Sequence, residues 1–234
     1  MTGHSGTSRR GVQAEVTRLR VQFKTLGALY TDKAVKVSGS SVFCGWNHDL
    51  ATPVGTSLNA CYAYHEAGGH LSGIATTGDV VTKQGANKTD GSPTPTNTSN
   101  TNLWYTLPEV LGLTVSDTNE LLASADNTAI SNLIDGVTYI QGNASINAQV
   151  VGHGLLYVTG NCTINGGFKY WGMIYVEGDC KITGTPWILG TVLVKGTSDF
   201  NFNSGNCGIL FSEEAIQQYL SAFMPMTTLA WRNL

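Results

Sequence analysis

Residues 136–201 decide the fold, and they divide into the hexads GVTYIQ, GNASIN, AQVVGH, GLLYVT, GNCTIN, GGFKYW, GMIYVE, GDCKIT, GTPWIL, GTVLVK and GTSDFN. Glycine fills the first position of every hexad except the third, which begins with Ala148. The third position is small or apolar throughout, and the fifth is apolar everywhere except at Gly152. This repeat predicts a parallel β-solenoid in which three hexads close a triangular coil of about 18 residues.

The hexad also predicts which side chains point inward. Third and fifth positions lie two residues apart, so a β-strand places them on one side, where stacked coils bury them. Fourth and sixth positions, such as Lys169, Glu177 and Lys195, are expected to point mainly outward. The glycine is expected at a corner that needs a close backbone approach or a positive φ. An 18-residue triangle suits both hands, so the repeat leaves the handedness open.

The composition excludes several classes of protein. The chain has 234 residues, 28 of them glycine, and only 12% are charged, which argues against a long helical bundle and against ordinary disorder. The formal net charge is −3, and neither a basic patch nor a charge run indicates nucleic acid or a membrane surface as a partner. No signal peptide or membrane-spanning stretch is visible in the sequence.

The segments that flank the repeat are less regular. Residues 1–27 are expected to be a leader or the remnant of a stem, and residues 28–135 to form irregular β-coils. Within them, the polar stretch 85–102 should be a surface loop, while Pro108 and Ser116 are candidate starts of short helices. The regular solenoid is expected over 136–211 and a helical cap with a tail over 212–234, so that 28–234 form one continuous domain.

The cap is predicted from a helical pattern near the end of the chain. Ser212 is a candidate N-cap, and Glu213 and Glu214 are favourable in a first helical turn. An apolar stripe follows, and Pro225 should end the helix. A cover of this kind is expected because the open end of a solenoid exposes unpaired backbone and apolar side chains.

Five cysteines are present, and none forms a Cys-x2-Cys pair, so no metal or other cofactor is expected. Cys162 and Cys180 occupy the same inward position of adjacent coils, about 5 Å apart, which fits either a disulfide or two buried thiols. Cys44 and Cys61 bracket a loop and are expected to form a disulfide in an oxidising compartment. Cys207 is then left over.

No arrangement of residues indicates catalysis, and the chain is expected not to be an enzyme. His65 and His70 resemble a zinc-protease motif but lie five apart, whereas that motif needs a spacing of four. His153 is a candidate base of a hexad-repeat acyltransferase, but no long loop interrupts the repeat. Asp179 aligns with Asn161 and Thr197 rather than with further carboxylates, so a sugar-cleaving acid pair is not expected.

Several segments, in order, resemble the exported C-terminal part of type IV pilus assembly proteins of the PilX type. They are GTSRRGVQAEV (6–16), ALYTDKAVKVSGSSVFCG (28–45), GIATTGD (73–79), GHGLLYVTGNCTINGGFKYWGMIYVEGDCKITG (152–184), FSEEAIQQYLSAF (211–223) and LAWRNL (229–234). The hydrophobic N-terminal helix of that family is absent from this sequence. The coils also resemble bactofilins, and both resemblances favour a right-handed solenoid.

The resemblance implies a non-enzymatic structural component of type IV pilus assembly. It would be exported to the periplasm or cell surface, membrane-anchored if a native N-terminal helix was removed, and would contact pilin-like proteins or an adhesion ligand. The alternatives are a self-assembling scaffold of the bactofilin kind and, less favoured, a solenoid acyltransferase or carbohydrate-active enzyme.

Overall fold

The computed structural model describes residues 12–18, 21–54, 61, 67–78, 81–86, 88–98, 104–131, 133–147, 149–224 and 226–233. These residues form a mainly β structure with a large parallel sheet and few helices, which confirms the predicted class at that level. The strands are β1 (Val12–Arg18), β2 (Gly27–Thr31), β3 (Val35–Cys44), β4 (Ser72–Thr76), β5 (Val81–Gln84), β6 (Lys88–Asp90), β7 (Thr96–Asn97), β8 (Leu133–Ile140), β9 (Ala144–Ile146), β10 (Val151–Val158), β11 (Cys162–Gly166), β12 (Lys169–Val176), β13 (Cys180–Gly184), β14 (Trp187–Val194), β15 (Ser198–Leu210) and β16 (Met226–Asn233). The helices are α1 (Leu107–Leu111), α2 (Val115–Ala123) and α3 (Glu213–Leu220), and a short 3-10 turn (Ser221–Phe223) follows α3.

The strands of the repeat pair in parallel with partners 18 residues apart. β10 lies between β8 and β12, and β12 also pairs with β14, so that Gly154 is opposite both Gly136 and Gly172. β11 lies between β9 and β13, where Cys162 is opposite Cys180. The pairing therefore has the period that the glycines predict.

The predicted inward positions are buried throughout the repeat. The fifth positions are Ile140, Ile146, Gly152, Val158, Ile164, Tyr170, Val176, Ile182, Ile188, Val194 and Phe200, and the third positions include Leu156, Cys162, Phe168, Ile174, Cys180 and Val192. Thr138 and Ser198 are buried third positions with small polar side chains. Together with the buried side chains of β2, β3 and β4, these residues form one continuous apolar core.

The N-terminal strands extend the ladder beyond its C-terminal end. β2 pairs with β14 and β3 pairs with β15, both in parallel. β4 then pairs with β2, and β5 and β6 pair with β3. In chain order, the strands at one end of the stack therefore come first. Residues 104–131 then precede β8, which lies at the other end.

The glycines at one corner approach each other too closely for a side chain. Gly172 has a φ of 123°, and a Cβ there would lie 2.3 Å from the carbonyl oxygen of Gly154. Gly190 repeats the arrangement one row further on, where a Cβ would lie 1.8 Å from the carbonyl oxygen of Gly172. Both the backbone conformation and the close approach require glycine.

Residues 85–131 differ in detail from the prediction. β6 and β7 lie within the predicted loop 85–102, because backbone pairing at the edge of a ladder does not need large apolar side chains. α1 begins just before Pro108, and α2 begins after Thr114, whose hydroxyl accepts a hydrogen bond from the backbone N–H of Asp117 at 3.1 Å. Thr114 rather than Ser116 is therefore the N-cap.

A different segment from the one predicted covers the first strand of the ladder. The backbone N–H of Asn127 donates to the carbonyl of Val137 at 3.1 Å, and its carbonyl accepts from the N–H of Tyr139 at 2.9 Å. These two bonds occupy part of the open edge of β8. Leu121, on α2, is buried nearby in the main core.

The C-terminal helix forms, but it lies along the side of the sheet rather than over its end. Ser212 is its N-cap, as predicted, and its hydroxyl accepts from the N–H of Ala215 at 3.0 Å. α3 packs across β10, β12 and β14, where Leu189 is an apolar outward side chain that shares a cluster with Ala215. The predicted position of the helix over the end of the ladder is wrong, because the apolar stripe of α3 packs on this outward apolar surface and not on an open end.

The described part of the predicted leader is also structured. β1 pairs antiparallel with β16 in a separate two-stranded sheet that joins the two ends of the chain. Val21 is buried in the main core, and its carbonyl accepts a hydrogen bond from Gln217 Nε2 on α3 at 2.6 Å. Residues 21–27 therefore belong to the folded body rather than to a free stem.

Candidate functional surface

One face of the parallel ladder is polar and has no described helix as its main packing partner. We call it the open face; it comprises β9, β11, β13, the first part of β15, the first part of β3, and β5. Its outward side chains form two rows, Ser145, Thr163, Lys181, Asp199 and Lys36 in the first and Asn147, Asn165, Thr183, Asn201, Ser38 and Gln84 in the second. The open face is therefore an array of hydroxyl and amide groups, with three charged side chains, Lys181, Asp199 and Lys36, in the first row.

The second row is ordered by hydrogen bonds between successive strands. Asn165 Nδ2 donates to Asn147 Oδ1 at 2.7 Å, and the hydroxyl of Thr183 donates to Asn165 Oδ1. In the first row, Lys36 Nζ lies 4.0 Å from Asp199 Oδ1. Pairs this exposed contribute little stability, but they fix side-chain positions across the face.

A ladder of side-chain oxygens borders the open face at the preceding corner. Asn143, Asn161 and Asp179 each accept, through Oδ1, the backbone N–H of the residue 18 positions later, at 2.8, 2.9 and 2.7 Å. The hydrogen bonds from the backbone and the hydroxyl of Thr197 lower the pKa of Asp179. Asp179 is thus an acceptor that joins strands, as the aligned Asn161 is one row earlier.

A row of tyrosines on the outward side of β8, β10 and β12 is partly covered by residues 104–113. Tyr175 points outward but is buried, because Trp104 Nε1 donates to its hydroxyl at 3.2 Å and that hydroxyl donates to the carbonyl of Tyr105 at 3.0 Å. Tyr157 and Tyr139 continue the same row with stacked rings 5.2 Å apart. Burial, followed by the charge of Glu177, raises the pKa of Tyr157 to about 12.

His153, the acyltransferase candidate, lies on β10, on the outward surface that α3 covers. Its Nε2 lies 3.1 Å from Asp135 Oδ1, and its ring stacks on Tyr219 of α3 at 4.5 Å. The side chains of His153 and Asp135 are 40% and 46% exposed. The arrangement fits a contact that holds α3 against the sheet.

Cys44 and Cys61 are joined by a disulfide whose Cα atoms lie 6.4 Å apart. The disulfide is buried in a small apolar cluster with Trp187, Leu189 and Ala215. It therefore ties Cys61 to the end of β3 beside the same outward surface that α3 covers, and we call the described residues 45–54 that follow β3 the disulfide loop.

Cys162 and Cys180 are buried free thiols in adjacent strands, which is one of the two arrangements that the repeat allowed. The hydrogen bond between them, followed by burial, raises the pKa of Cys180 well above its ordinary value. Since the thiolate is the reactive form, the raised pKa makes the Cys180 thiol poorly reactive near neutral pH. The side chain of Cys207 lies outside the described residues.

Only His70 of the apparent zinc-protease motif lies within the described residues. His65 and Glu66 lie outside the described residues, and His70 packs against Trp46 with ring centroids 4.6 Å apart. His70 Nδ1 also accepts the backbone N–H of Asn47 at 3.2 Å. His70 is therefore occupied by structural contacts.

Two open grooves of about 710 and 520 Å3 flank residues 21–26 beside α3. They share Val21, Gln22, Glu213 and Gln217. The neighbouring Glu214 accepts the backbone N–H of Leu50 at 2.7 Å, so this carboxylate holds the disulfide loop. The grooves do not combine a nucleophile, a base and an oxyanion donor within the described residues.

No protein-family model, curated protein or solved structure matches this chain. None of the described helices combines the length and the apolar character that crossing a membrane requires. Sequence reasoning missed the open face, although the alternation of fourth and sixth positions was the signal: Thr163, Asn165 and Thr183 are polar at successive outward sites.

Proposed function

We propose that this chain is a non-enzymatic structural component associated with type IV pilus assembly, in which a right-handed triangular β-solenoid is a rigid module for assembly or surface contacts. The observation that carries the proposal is the continuous pairing of β8, β10, β12, β14, β2, β4 and β7 over one apolar core. Seven rows spaced at about 4.8 Å would make a body roughly 30 Å long.

Rigidity follows from the way such a body is built. Each row is hydrogen-bonded to its neighbours, and its inward side chains pack on those of the next row. Bending the body would open many of these contacts at once. A protein of this kind acts by presenting a surface at a fixed distance and angle, and the open face is the surface it would present.

The link to pili comes from the ordered resemblance to PilX-type proteins, and the arrangement of the chain ends supports it. β1 and β16 place Val12 opposite Asn233, so a stem that precedes β1 would hold the body at one point. The buried Cys44–Cys61 disulfide suits an oxidising compartment, such as the periplasm or cell surface. Pilin-like proteins are the proposed partners, and the net charge of −3 gives no reason to propose nucleic acid.

A self-assembling scaffold of the bactofilin kind is the second candidate. It is favoured by edges that are open among the described strands, since β9 pairs only with β11 and β5 only with β3. Against it, residues 126–128 cover part of β8, so a second copy could not continue all three faces. Electron microscopy of the purified chain distinguishes the two: filaments support the scaffold, and single particles support the display module.

Immunogold labelling of the source bacterium tests the pilus proposal. Antibodies against the purified chain are applied to intact cells and to sheared pili, with a strain that lacks the pilus extension motor as the control. We expect label on pili or at their bases, and its loss from the surface of the control strain. Label that is unchanged in the control strain, with none on sheared pili, would contradict the proposal.

A further inference from the structure

Three metal-binding side chains converge where the disulfide loop meets the ladder. One donor atom from each of Cys44, His48 and Cys61 lies within 4.8 Å of the others, and all three side chains are fully buried. His48 Nε2 points at Cys44 Sγ from 3.1 Å. The prediction that no metal binds rested on the lack of a Cys-x2-Cys pair, which is only one of the spacings that metal sites use.

The local backbone holds these donors in place. Cys44 ends β3, where it is opposite Leu210, and its carbonyl accepts the N–H of Phe211 at 2.8 Å. The N–H of His48 donates to the carbonyl of Phe211, also at 2.8 Å. His48 Nδ1 lies 3.5 Å from the hydroxyl of Thr52, the type of outer contact that orients an imidazole ligand.

The sequence contains a second feature that points to metal. Cys44 and His48 have the spacing Cys-x3-His, and the same spacing recurs at Cys61 and His65. Two cysteines and two histidines are one of the ligand sets of structural zinc sites. His65 lies outside the described residues, so the geometric argument rests on the other three.

We propose that Cys44, His48 and Cys61 form a Zn2+ site in the reduced protein, and that the disulfide and the metal are alternative links at the same position. A dithiol reductant supplies two electrons and two protons to the disulfide and itself becomes a cyclic disulfide, leaving two thiols. Zn2+ then displaces the two thiol protons and binds both thiolates together with the neutral His48 imidazole. The disulfide form binds no zinc through sulfur, because thiolates are the ligands.

The site is independent of the proposed function, and it would have a structural effect in either state. The hydroxyl of Ser212 donates to the carbonyl of His48 at 2.7 Å, and Asn47 Oδ1 accepts the N–H of Glu213 at 2.9 Å. The start of α3 is therefore bound to the same loop that the link closes. Zinc would hold this loop before oxidation, and the disulfide afterwards.

Metal binding by the purified full chain tests the proposal. The protein is reduced anaerobically with a dithiol, freed of reductant, and titrated with Zn2+ or with Co2+ as a spectroscopic probe. We expect one tightly bound metal per reduced chain, thiolate-to-cobalt charge-transfer absorption, and no such signal from the oxidised chain. His48→Gln should weaken binding by roughly tenfold or more, since changes even to outer contacts can cost that much.

A second thiol pair provides the control. Cys162→Ala and Cys180→Ala should leave the metal signal unchanged, and Ala144 already occupies the equivalent place in the adjacent strand. His48→Gln keeps both cysteines, so disulfide formation on reoxidation reports that the variant still folds. A reduced chain that binds no metal, or a signal that survives His48→Gln and disappears with Cys162→Ala, would overturn the proposal.

Discussion

At Gly172 the ladder leaves no room for a side chain. Gly172→Ala would put a Cβ 2.3 Å from the Gly154 carbonyl oxygen and force alanine to a φ of 123°. We expect it to lower the free energy of unfolding by at least about 2 kcal/mol, because such backbone strain alone costs about 1–3 kcal/mol. Urea unfolding followed by circular dichroism measures the change.

Gly167 is the matched control for that substitution. It lies in the same repeat, but the nearest atom to a Cβ there is Cγ of the Gln149 side chain at 3.4 Å. Gly167→Ala should therefore change stability by less than about 1 kcal/mol. Equal losses at the two positions would show that the corner geometry has been assigned incorrectly.

Asp179 tests the ladder of side-chain oxygens. Asp179→Ala removes the acceptor of the Thr197 N–H and should cost about 1 kcal/mol, a value kept low because the carboxylate is exposed to solvent. Asp179→Asn keeps an oxygen in that place, as Asn161 does in the preceding row, and should be nearly neutral. Thermal and urea unfolding of both variants at pH 7 gives the comparison.

The pH dependence of this contribution has a definite sign. The folded-state pKa of Asp179 is lowered, so the ionised form stabilises the fold above its ordinary pKa of about 4, and this stability is lost as the pH falls through the lowered value. The difference in stability between wild type and Asp179→Ala should accordingly shrink in acid. A difference that grows in acid would contradict the assignment of the hydrogen bonds.

Single residues also show where local sequence is informative. The hexad predicts the buried positions because the period of a strand fixes the direction of each side chain, as at Ile164 and Ile182. The hexad gives no basis for predicting the burial of Tyr175 or Leu193, which point outward and yet are buried. The burial of Tyr175 depends on Trp104 and Tyr105, and the position of these residues is not encoded in the repeat.

At the scale of elements, the cover formed by residues 104–113 makes a specific prediction. Tyr175→Phe removes the hydroxyl that bonds Trp104 Nε1 and the Tyr105 carbonyl, and should cost about 1–2 kcal/mol. Tyr139→Phe, in the same row but uncovered, should cost less than about 0.5 kcal/mol. Urea unfolding measures both losses of stability. Equal losses for the two variants would show that residues 104–113 do not pack on Tyr175.

The disulfide loop is the second element with a measurable effect. Reduction of Cys44–Cys61, which are 17 positions apart, should lower the free energy of unfolding by about 3 kcal/mol in the absence of metal. The double variant Cys44→Ala/Cys61→Ala should have lost this sensitivity to reductant. Reductant that destabilises the double variant equally would place the effect elsewhere in the chain.

The helices illustrate the limit of reasoning from local pattern. The stripe that begins at Ala215 predicts that α3 exists and has an apolar side. It does not reveal which surface receives that side, because an open end and the outward surface around Leu189 are equally apolar from a local viewpoint. The edge of β8 is instead covered by residues around Asn127. Their contact with β8 is made through two backbone hydrogen bonds, which do not depend on side-chain type and therefore produce no pattern in the sequence.

For the whole molecule, the order of the rows is the least local property. β2 and β3 lie beyond β14 and β15, so strands separated by more than 150 residues become neighbours. Nothing in the hexads indicates this, since the repeat describes contacts between residues 18 apart. The candidate surface has the same origin, because the open face joins strands from both halves of the chain.

Parallel rows continue from the repeat into the N-terminal strands, and disulfide cross-linking measures this continuity. Lys36 and Asp199 are paired outward residues of β3 and β15. Neighbouring strands lie about 4.8 Å apart, so Lys36→Cys/Asp199→Cys should form a disulfide rapidly on mild oxidation. The double variant Lys36→Cys/Thr163→Cys should not form this disulfide, because Thr163 lies two rows beyond Asp199. We expect mass spectrometry of digested protein to detect the disulfide between positions 36 and 199 and none between positions 36 and 163. A disulfide between 36 and 163 without one between 36 and 199 would contradict the pairing of β3 with β15.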